Sequence, residues 1–294
     1  MPYAQSDNIQ LYYEETGKGT PIVFVHEFAD DLHSWEAQMQ FFSRRYRCVA
    51  FNARGYPPSD VPKAASKYSQ AIATDDIAHV MRHLKISKAH IIGCSMGGYA
   101  ALHFALRYPR MAISSTVIGA GYGSDPDKRA QFLADTDVMI KRFEQLGTAE
   151  AIKPYQIGPA RVQFQNKNPR GFAHFCAEFA KHSALGSANT LRGVQAKRPS
   201  IYSLESALRK CRVPLHIISG DEDNNCLDPA LFIKRVCASA MLTVVPNTGH
   251  AVNLEEPVMF NNMIAEFLAQ VDSGHWRGRD PRSLNQSTMD KSKS

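Results

Sequence analysis

Six short apolar runs recur along this chain, at residues 21–27, 46–52, 89–94, 112–120, 214–220 and 242–247, and most are separated by helical patterns. The runs are continuous rather than alternating, as strands buried on both faces must be. Strands that alternate with helices build a parallel sheet covered on both sides. Two further strands are expected before them, joined at Ser6–Asp7–Asn8, as an antiparallel start to the sheet. Helical patterns cover 34–45, 70–84, 96–107, 228–238 and 256–271, with Ser34, Asp228–Pro229 and Glu255–Glu256–Pro257 as opening signals.

Between about 122 and 211 the strand signal disappears and only helical stretches remain. This predicts a helical cap over 122–211, which divides an α/β core into 1–121 and 212–272. A flexible, polar and basic tail is expected over 273–294. The cap holds fourteen Lys/Arg against eight Asp/Glu, a net charge of +6. The 294-residue chain also carries +6, three of those charges lying in the tail. No basic run interleaved with aromatics occurs before residue 273, so no nucleic-acid partner is expected.

No apolar stretch of about 18 residues exists, and the first twenty residues lack a basic and then apolar leader pattern, so neither membrane spanning nor secretion is expected. Six cysteines without a C-x-x-C pair read neither as a disulfide framework nor as a zinc site. The expectation is a cytoplasmic protein with no metal and no cofactor. The carboxyl end, Lys-Ser-Lys-Ser, is similar to a peroxisomal address but lacks the final Leu.

The sharpest local signal is Gly93–Cys94–Ser95–Met96–Gly97–Gly98, directly after an apolar run and directly before an Ala-rich helical pattern. A tight strand-to-helix turn of this kind forces Ser95 into a strained conformation with its hydroxyl exposed, and small residues at 93 and 97 let the two segments approach. The new helix aims its positive end, including the Met96 N–H, at negative charge forming near Ser95. A serine hydroxyl needs a base, and the base an acid to hold it. Two later runs end in Gly220–Asp221–Glu222–Asp223 and Asn247–Thr248–Gly249–His250, at the sheet edge where open α/β folds bind ligands. His250 is the candidate base. Asp221, Glu222 and Asp223 are candidate acids, with Asp223 favoured; Asp228 serves better as a helix cap.

With these motifs, residues 5 to 272 resemble the α/β-hydrolase superfamily. The resemblance implies an eight-stranded, mostly parallel α/β sheet with helices on both faces and a helical cap inserted after the sixth strand. It also implies a Ser95–His250–Asp223 triad, because the family's acid usually stands third after the glycine corresponding to Gly220. One departure matters. Where the family has His-Gly after the first buried strand, this chain has His26–Glu27–Phe28–Ala29. By position, the Phe28 and Met96 N–H groups form the oxyanion hole. An ionised Glu27 beside that hole must point away, pair with a cation or stay protonated. The expected partner, by family position, is Arg54; the alternative is that Glu27 is a second acid/base group.

The smaller signals are read structurally. Cys94 is expected as a packed thiol. His33 and Trp35 are expected under the oxyanion loop or at the cap boundary, and Phe172, Phe175 and Phe179 as packing between cap and sheet. Arg161, Arg170, His174, His182 and Arg192 are candidates for recognising a substrate carboxylate. The function expected from this reading is a serine hydrolase that cleaves a small carboxylic ester or lactone through an acyl-enzyme, its substrate a small and, from the cap's charge, anionic molecule. The alternatives are carbon–carbon bond hydrolysis of a dienoic ketone acid and a hydrolase-like ligand receptor with little turnover. A Ser nucleophile argues against epoxide hydrolases and haloalkane dehalogenases, relatives with an Asp at that place.

Overall fold

The computed structural model describes residues 2–284. Eight strands form one sheet: β1 (Tyr3–Ser6), β2 (Ile9–Thr16), β3 (Thr20–Val25), β4 (Tyr46–Phe51), β5 (Ala89–Cys94), β6 (Ala112–Ile118), β7 (Leu215–Gly220) and β8 (Ala240–Val245). Their spatial order is β1-β2-β4-β3-β5-β6-β7-β8, with β2 antiparallel to both of its neighbours, β1 and β4, and every other pairing parallel. The chain leaves β3 to one side for β4 and returns on the other as β5. That reversal opens a crevice at the carboxyl ends of β3 and β5, where His26–Asp31 and Ser95 begin their loops.

The core helices are α1 (Glu36–Phe42), α2 (Gln70–His83) and α3 (Met96–Arg107). The segment between β6 and β7 carries only helices: α4 (Arg129–Leu146), α5 (Thr148–Ala151), α6 (Lys153–Gln156), α7 (Val162–Lys167), α8 (Pro169–Phe179), α9 (Ala184–Thr190) and α10 (Glu205–Lys210). Then follow α11 (Asn224–Val236), α12 (Val252–Glu255) and α13 (Pro257–Asp272). One face of the sheet buries its apolar side chains against α2, α3 and α11, with Ile77, Tyr99, Phe104 and Ile233 at the centre. The other face packs on α1 and α13 through Trp35, Phe42, Phe260 and Phe267. Continuous strands are apolar on both sides because each side has its own helical layer.

A third cluster joins the inserted helices to the core. Phe172, Phe175 and Phe179 of α8 meet Phe143 of α4, and Phe28 of the loop after β3 stands edge-on to Phe143 and Phe179. Closer in, Gly186 of α9 lies against Gly55, whose φ of +91° suits glycine alone. A Cβ at Gly186 would overlap the Gly55 carbonyl.

Three local expectations are corrected. The segment expected as a helix from Ser34 starts instead as a 3₁₀ turn at Leu32–Trp35, capped by the Asp31 carboxylate accepting from the His33 N–H. α11 begins at Asn224, about a turn before Asp228, so that exposed Asp caps nothing and Pro229 costs the helix an internal bond. The chain from 273 to 284 stays against the body rather than leaving it as a free tail: Trp276 packs edge-on to Phe267 at 5.2 Å, and the Arg279 N–H donates to the Ala238 carbonyl. The rest of the expected tail, 285–294, lies outside the described residues. Among the described residues, no helix is long and apolar enough to cross a membrane.

Because the Gly186–Gly55 approach leaves no room for a methyl group, Gly186→Ala must push α9 off the core. The expected cost is about 1–3 kcal/mol, read as a lower urea midpoint with an unchanged denaturant slope.

Candidate active site

Ser95 sits between β5 and α3 with φ +53° and ψ −111°, a conformation that L side chains rarely adopt. The turn is possible because its flanks are glycines: a Cβ at Gly93 would overlap the Gly97 carbonyl, and one at Gly97 would overlap the carbonyls of Val25 and His26. The Ser95 N–H donates to the Ile118 carbonyl at 2.7 Å, tying the turn to β6. Cys94 is a buried thiol whose pKa burial pushes well up, as a packed core group requires.

His250 is held from several sides. Its Nδ1–H donates to Asp223 Oδ2 at 2.6 Å. Its backbone N–H donates to the Ala160 carbonyl at 3.2 Å, and the Glu255 carboxylate accepts from the N–H groups of Gly249 and Ala251 on either side. Burial works to lower the His250 pKa, but the Asp223 charge and hydrogen bond, helped by the Glu27 charge, outweigh it and hold the imidazole above its ordinary 6.5. Burial works to raise the Asp223 pKa, and the imidazole holds it below the usual value. Of the four acids considered, Asp221 bonds the Thr248 N–H and Glu222 accepts from Gln163, while Asp228 is exposed in α11. Only Asp223 bonds the imidazole.

Ser95 and His250 line one cavity of about 150 Å³, together with Phe28, Tyr122 and Arg198. A second cavity of about 190 Å³ lies on the Asp223 and Arg161 side of the same imidazole. Met96 opens α3, so its N–H has no helical carbonyl to bond. The Tyr56 hydroxyl donates to the Phe28 carbonyl at 2.9 Å and pins the facing loop. His26 supports that loop: its Nδ1–H donates to the Glu27 carbonyl, and its Nε2 accepts from the Ala53 N–H.

The Glu27 partner is Arg161, which corrects the expected pairing with Arg54. Arg161 Nη1 donates to Glu27 Oε1 at 2.8 Å and Nη2 to Oε2 at 2.5 Å, both side chains being buried. Arg54 forms its own bidentate pair with Asp76 of α2, at 2.7 Å and 2.6 Å, and donates to the Lys67 carbonyl. The physical reason is direction. The loop after β4 turns its guanidinium toward α2, whereas Glu27 faces the inserted helices. Burial favours the acid form of Glu27, but the adjacent guanidinium overrides it and keeps its pKa below the usual carboxylate value. Neighbouring Asp30 has no such partner, and burial followed by the Glu27 charge pushes its pKa well up. Glu27 Oε2 stands 3.9 Å from His250 Nε2, so this carboxylate lies beside the imidazole rather than apart from the site.

The other expected carboxylate readers are occupied or remote. Arg161 is neutralised by Glu27, and Arg192 pairs with Glu144. His182 is buried and held neutral, its pKa lowered to about 4 by burial, and Arg170 and His174 are exposed. His33 is exposed, pairs with Asp31 and lines a surface cavity with Phe164, His174 and Phe175, which places it at the boundary with the inserted helices rather than under the oxyanion loop, while Trp35 is fully buried against Phe24 and Phe260. Asp223, Cys226 and His250 bring three potential metal donors within 4.8 Å of one another. They do not suit an ion: the imidazole is bonded to Asp223, the Cys226 thiol donates to the Gly119 carbonyl, and burial with the Asp223 charge holds that thiol protonated.

The family model for the alpha/beta hydrolase fold matches residues 20–257. The chain belongs to that family. It is 26% identical over 285 residues to epoxide hydrolase 1 of Caenorhabditis elegans, covering 90% of this chain and 69% of that protein. It is 22% identical over 267 residues to 3-oxoadipate enol-lactonase 2 of Acinetobacter baylyi, covering 88% and 93%. The enol-lactonase of Burkholderia xenovorans LB400 superposes with a TM-score of 0.77 at 21% identity, covering 91% of this chain and all of that one.

The buried ion pairs make distinct predictions. Arg161→Met strands the Glu27 charge and should cost about 3–5 kcal/mol in urea unfolding, most of it restored by adding Glu27→Gln. Arg54→Ala should cost a similar amount through Asp76 while leaving the pH dependence of the His250 imidazole, followed by NMR, unchanged. Glu27→Gln alone removes a negative neighbour and should move that imidazole's titration to lower pH.

Proposed function

We propose that the protein is a serine hydrolase that cleaves a small carboxylic ester or lactone through an acyl-enzyme. The observation that carries the reading is the Asp223–His250 hydrogen bond of 2.6 Å, on an imidazole that shares its cavity with a strained Ser95. In this mechanism Ser95 Oγ attacks the substrate carbonyl carbon while His250 Nε2 takes its proton. Asp223 fixes the ring with Nδ1 protonated and stabilises the imidazolium. The Phe28 and Met96 N–H groups receive the oxyanion. His250 then passes the proton to the leaving alkoxide, and a water activated by the same nitrogen hydrolyses the acyl-Ser95 ester. Glu27, ionised and tied to Arg161, has no proton to give and tunes the imidazole by its charge.

A relative named as an enol-lactonase supports the lactone side of this reading. The inserted helices act as a cap over 122–211 on a core of 1–121 and 212–272. Six unpaired cysteines suit a reducing cytoplasm.

A panel of p-nitrophenyl esters, lactones and dienoic ketone acids tests the reaction type. Steady-state turnover of esters or lactones is expected; stoichiometric binding with no turnover would favour a receptor, and preferred cleavage of the ketone acids would favour carbon–carbon hydrolysis. Ser95→Ala and His250→Ala should each lower kcat by at least about 10³, and the double variant by little more. Since the base must be neutral, kcat/KM should fall as pH drops through a value above 6.5. Asp223→Asn leaves burial as the dominant influence on His250, so the acid limb should move to lower pH as kcat falls by about 10⁴.

A further inference from the structure

Three arginines of the folded body are buried, and two of them have carboxylate partners. The third, Arg198, has none among the described residues. It is 4% exposed, follows the π-helical turn Leu191–Gln195, and lines the cavity that holds Ser95 and His250. Its Nη2 donates to the Tyr122 carbonyl at 2.7 Å, while Nε and Nη1 have no hydrogen-bond partner. Its charge rests on aromatic faces: the guanidinium carbon is 3.8 Å from the Tyr99 ring centre and 5.8 Å from that of Phe132. A guanidinium cannot escape burial by losing its proton. Two orphaned donors on a buried cation are costly, and a cost of that kind is relieved by an anion.

The surroundings sharpen the point. Nearby Arg129 spends its donors on the carbonyls of Gly123, Ala196 and Arg198, and His103 is neutral, its pKa lowered to about 4 by burial and then by the Arg198 charge. Asp135 lies on the same cavity but is exposed and accepts from Gln131. At the other part of the site Arg161 is already neutralised by Glu27. Arg198 is therefore the uncompensated cation of this cavity.

We propose that Arg198 binds a carboxylate of the substrate, so that the preferred substrate is a monoester or lactone carrying a second, free carboxylate. The proposal rests on the serine-hydrolase reading and names the substrate class of that same site. A positive guanidinium with unspent N–H donors matches the acceptor oxygens and the single negative charge of a carboxylate. Holding the carboxylate at Arg198 while the ester carbonyl meets Ser95 would fix the acyl chain at both ends, which restricts it to reactive geometries.

The test separates binding from turnover. In Ser95→Ala protein, the affinities of monoethyl esters of the C4 to C8 dicarboxylic acids are compared by calorimetry with those of the ethyl monocarboxylates of equal chain length. At least one monoester should bind tenfold or more tightly than its neutral match, and adding Arg198→Met should abolish the difference. Arg198→Lys, which keeps the charge but not the planar guanidinium, should retain part of it. Equal binding of charged and neutral esters by Ser95→Ala protein overturns the proposal, as does a preference that survives Arg198→Met. Should the Met variant fail to fold by thermal melting, a preference undiminished in Arg198→Lys overturns it as well. With Ser95 present, kcat/KM for the best monoester should fall about 30-fold or more in Arg198→Met, and that for its neutral match less than threefold. Tight monoester binding through Arg198 with no hydrolysis by the Ser95 protein would leave this site standing and overturn the hydrolase reading.

Discussion

The close contact between the Ser95 turn and the end of β3 is the constraint on which the site depends. Gly97 must lie flat against the carbonyls of Val25 and His26, because any side chain there would force β3 and the start of α3 apart. Register does the rest: Val25 pairs with Gly93, so the residues that follow each strand emerge side by side. One emerging loop carries Glu27 and Phe28, and the other carries Ser95 and Met96. The strain at Ser95 is sustained by the strand, the helix and the Ile118 carbonyl that surround it.

The inserted helical segment is bonded to the His250 loop at several points. Its Ala160 carbonyl accepts from the His250 N–H, its Arg161 pairs with Glu27, and its Lys167 donates to Thr248 and Glu256 in the loop beyond β8. Charges that would be costly alone are balanced across the seam. The Glu27 carboxylate can be buried after β3 because a cation from the inserted segment meets it there. Its negative charge in turn helps to keep His250 basic. The placing of the inserted helices and the basicity of the His250 imidazole are thus linked through one buried ion pair.

Much of the fold was legible in the chain because its signals are local. Buried strands, glycines at a sharp turn and the strand-edge placement of Asp223 and His250 each follow from a few neighbouring residues. Asp223 could be preferred over Asp221 and Glu222, though its burial and its bond to the imidazole are tertiary facts. The start of α11 was misread because Asp228–Pro229 has the chemistry of a helix opening even inside a helix.

Long-range pairing was not legible. The substitution of Glu27 for glycine announces that a buried charge needs a partner, and it is silent on which of 34 Lys and Arg residues supplies it. Arg161 lies 134 residues away, and Arg54, the nearer candidate, is consumed by Asp76. Arg198 carried no signal at all, since an unpaired cation is defined by groups that fail to surround it. The succession of strands and helices and the turn that strains Ser95 follow from adjacent residues, which set backbone conformation locally. Which charges are neutralised, and which one remains beside the cavity without a carboxylate, depends on burial and ion pairing across distances that folding alone creates.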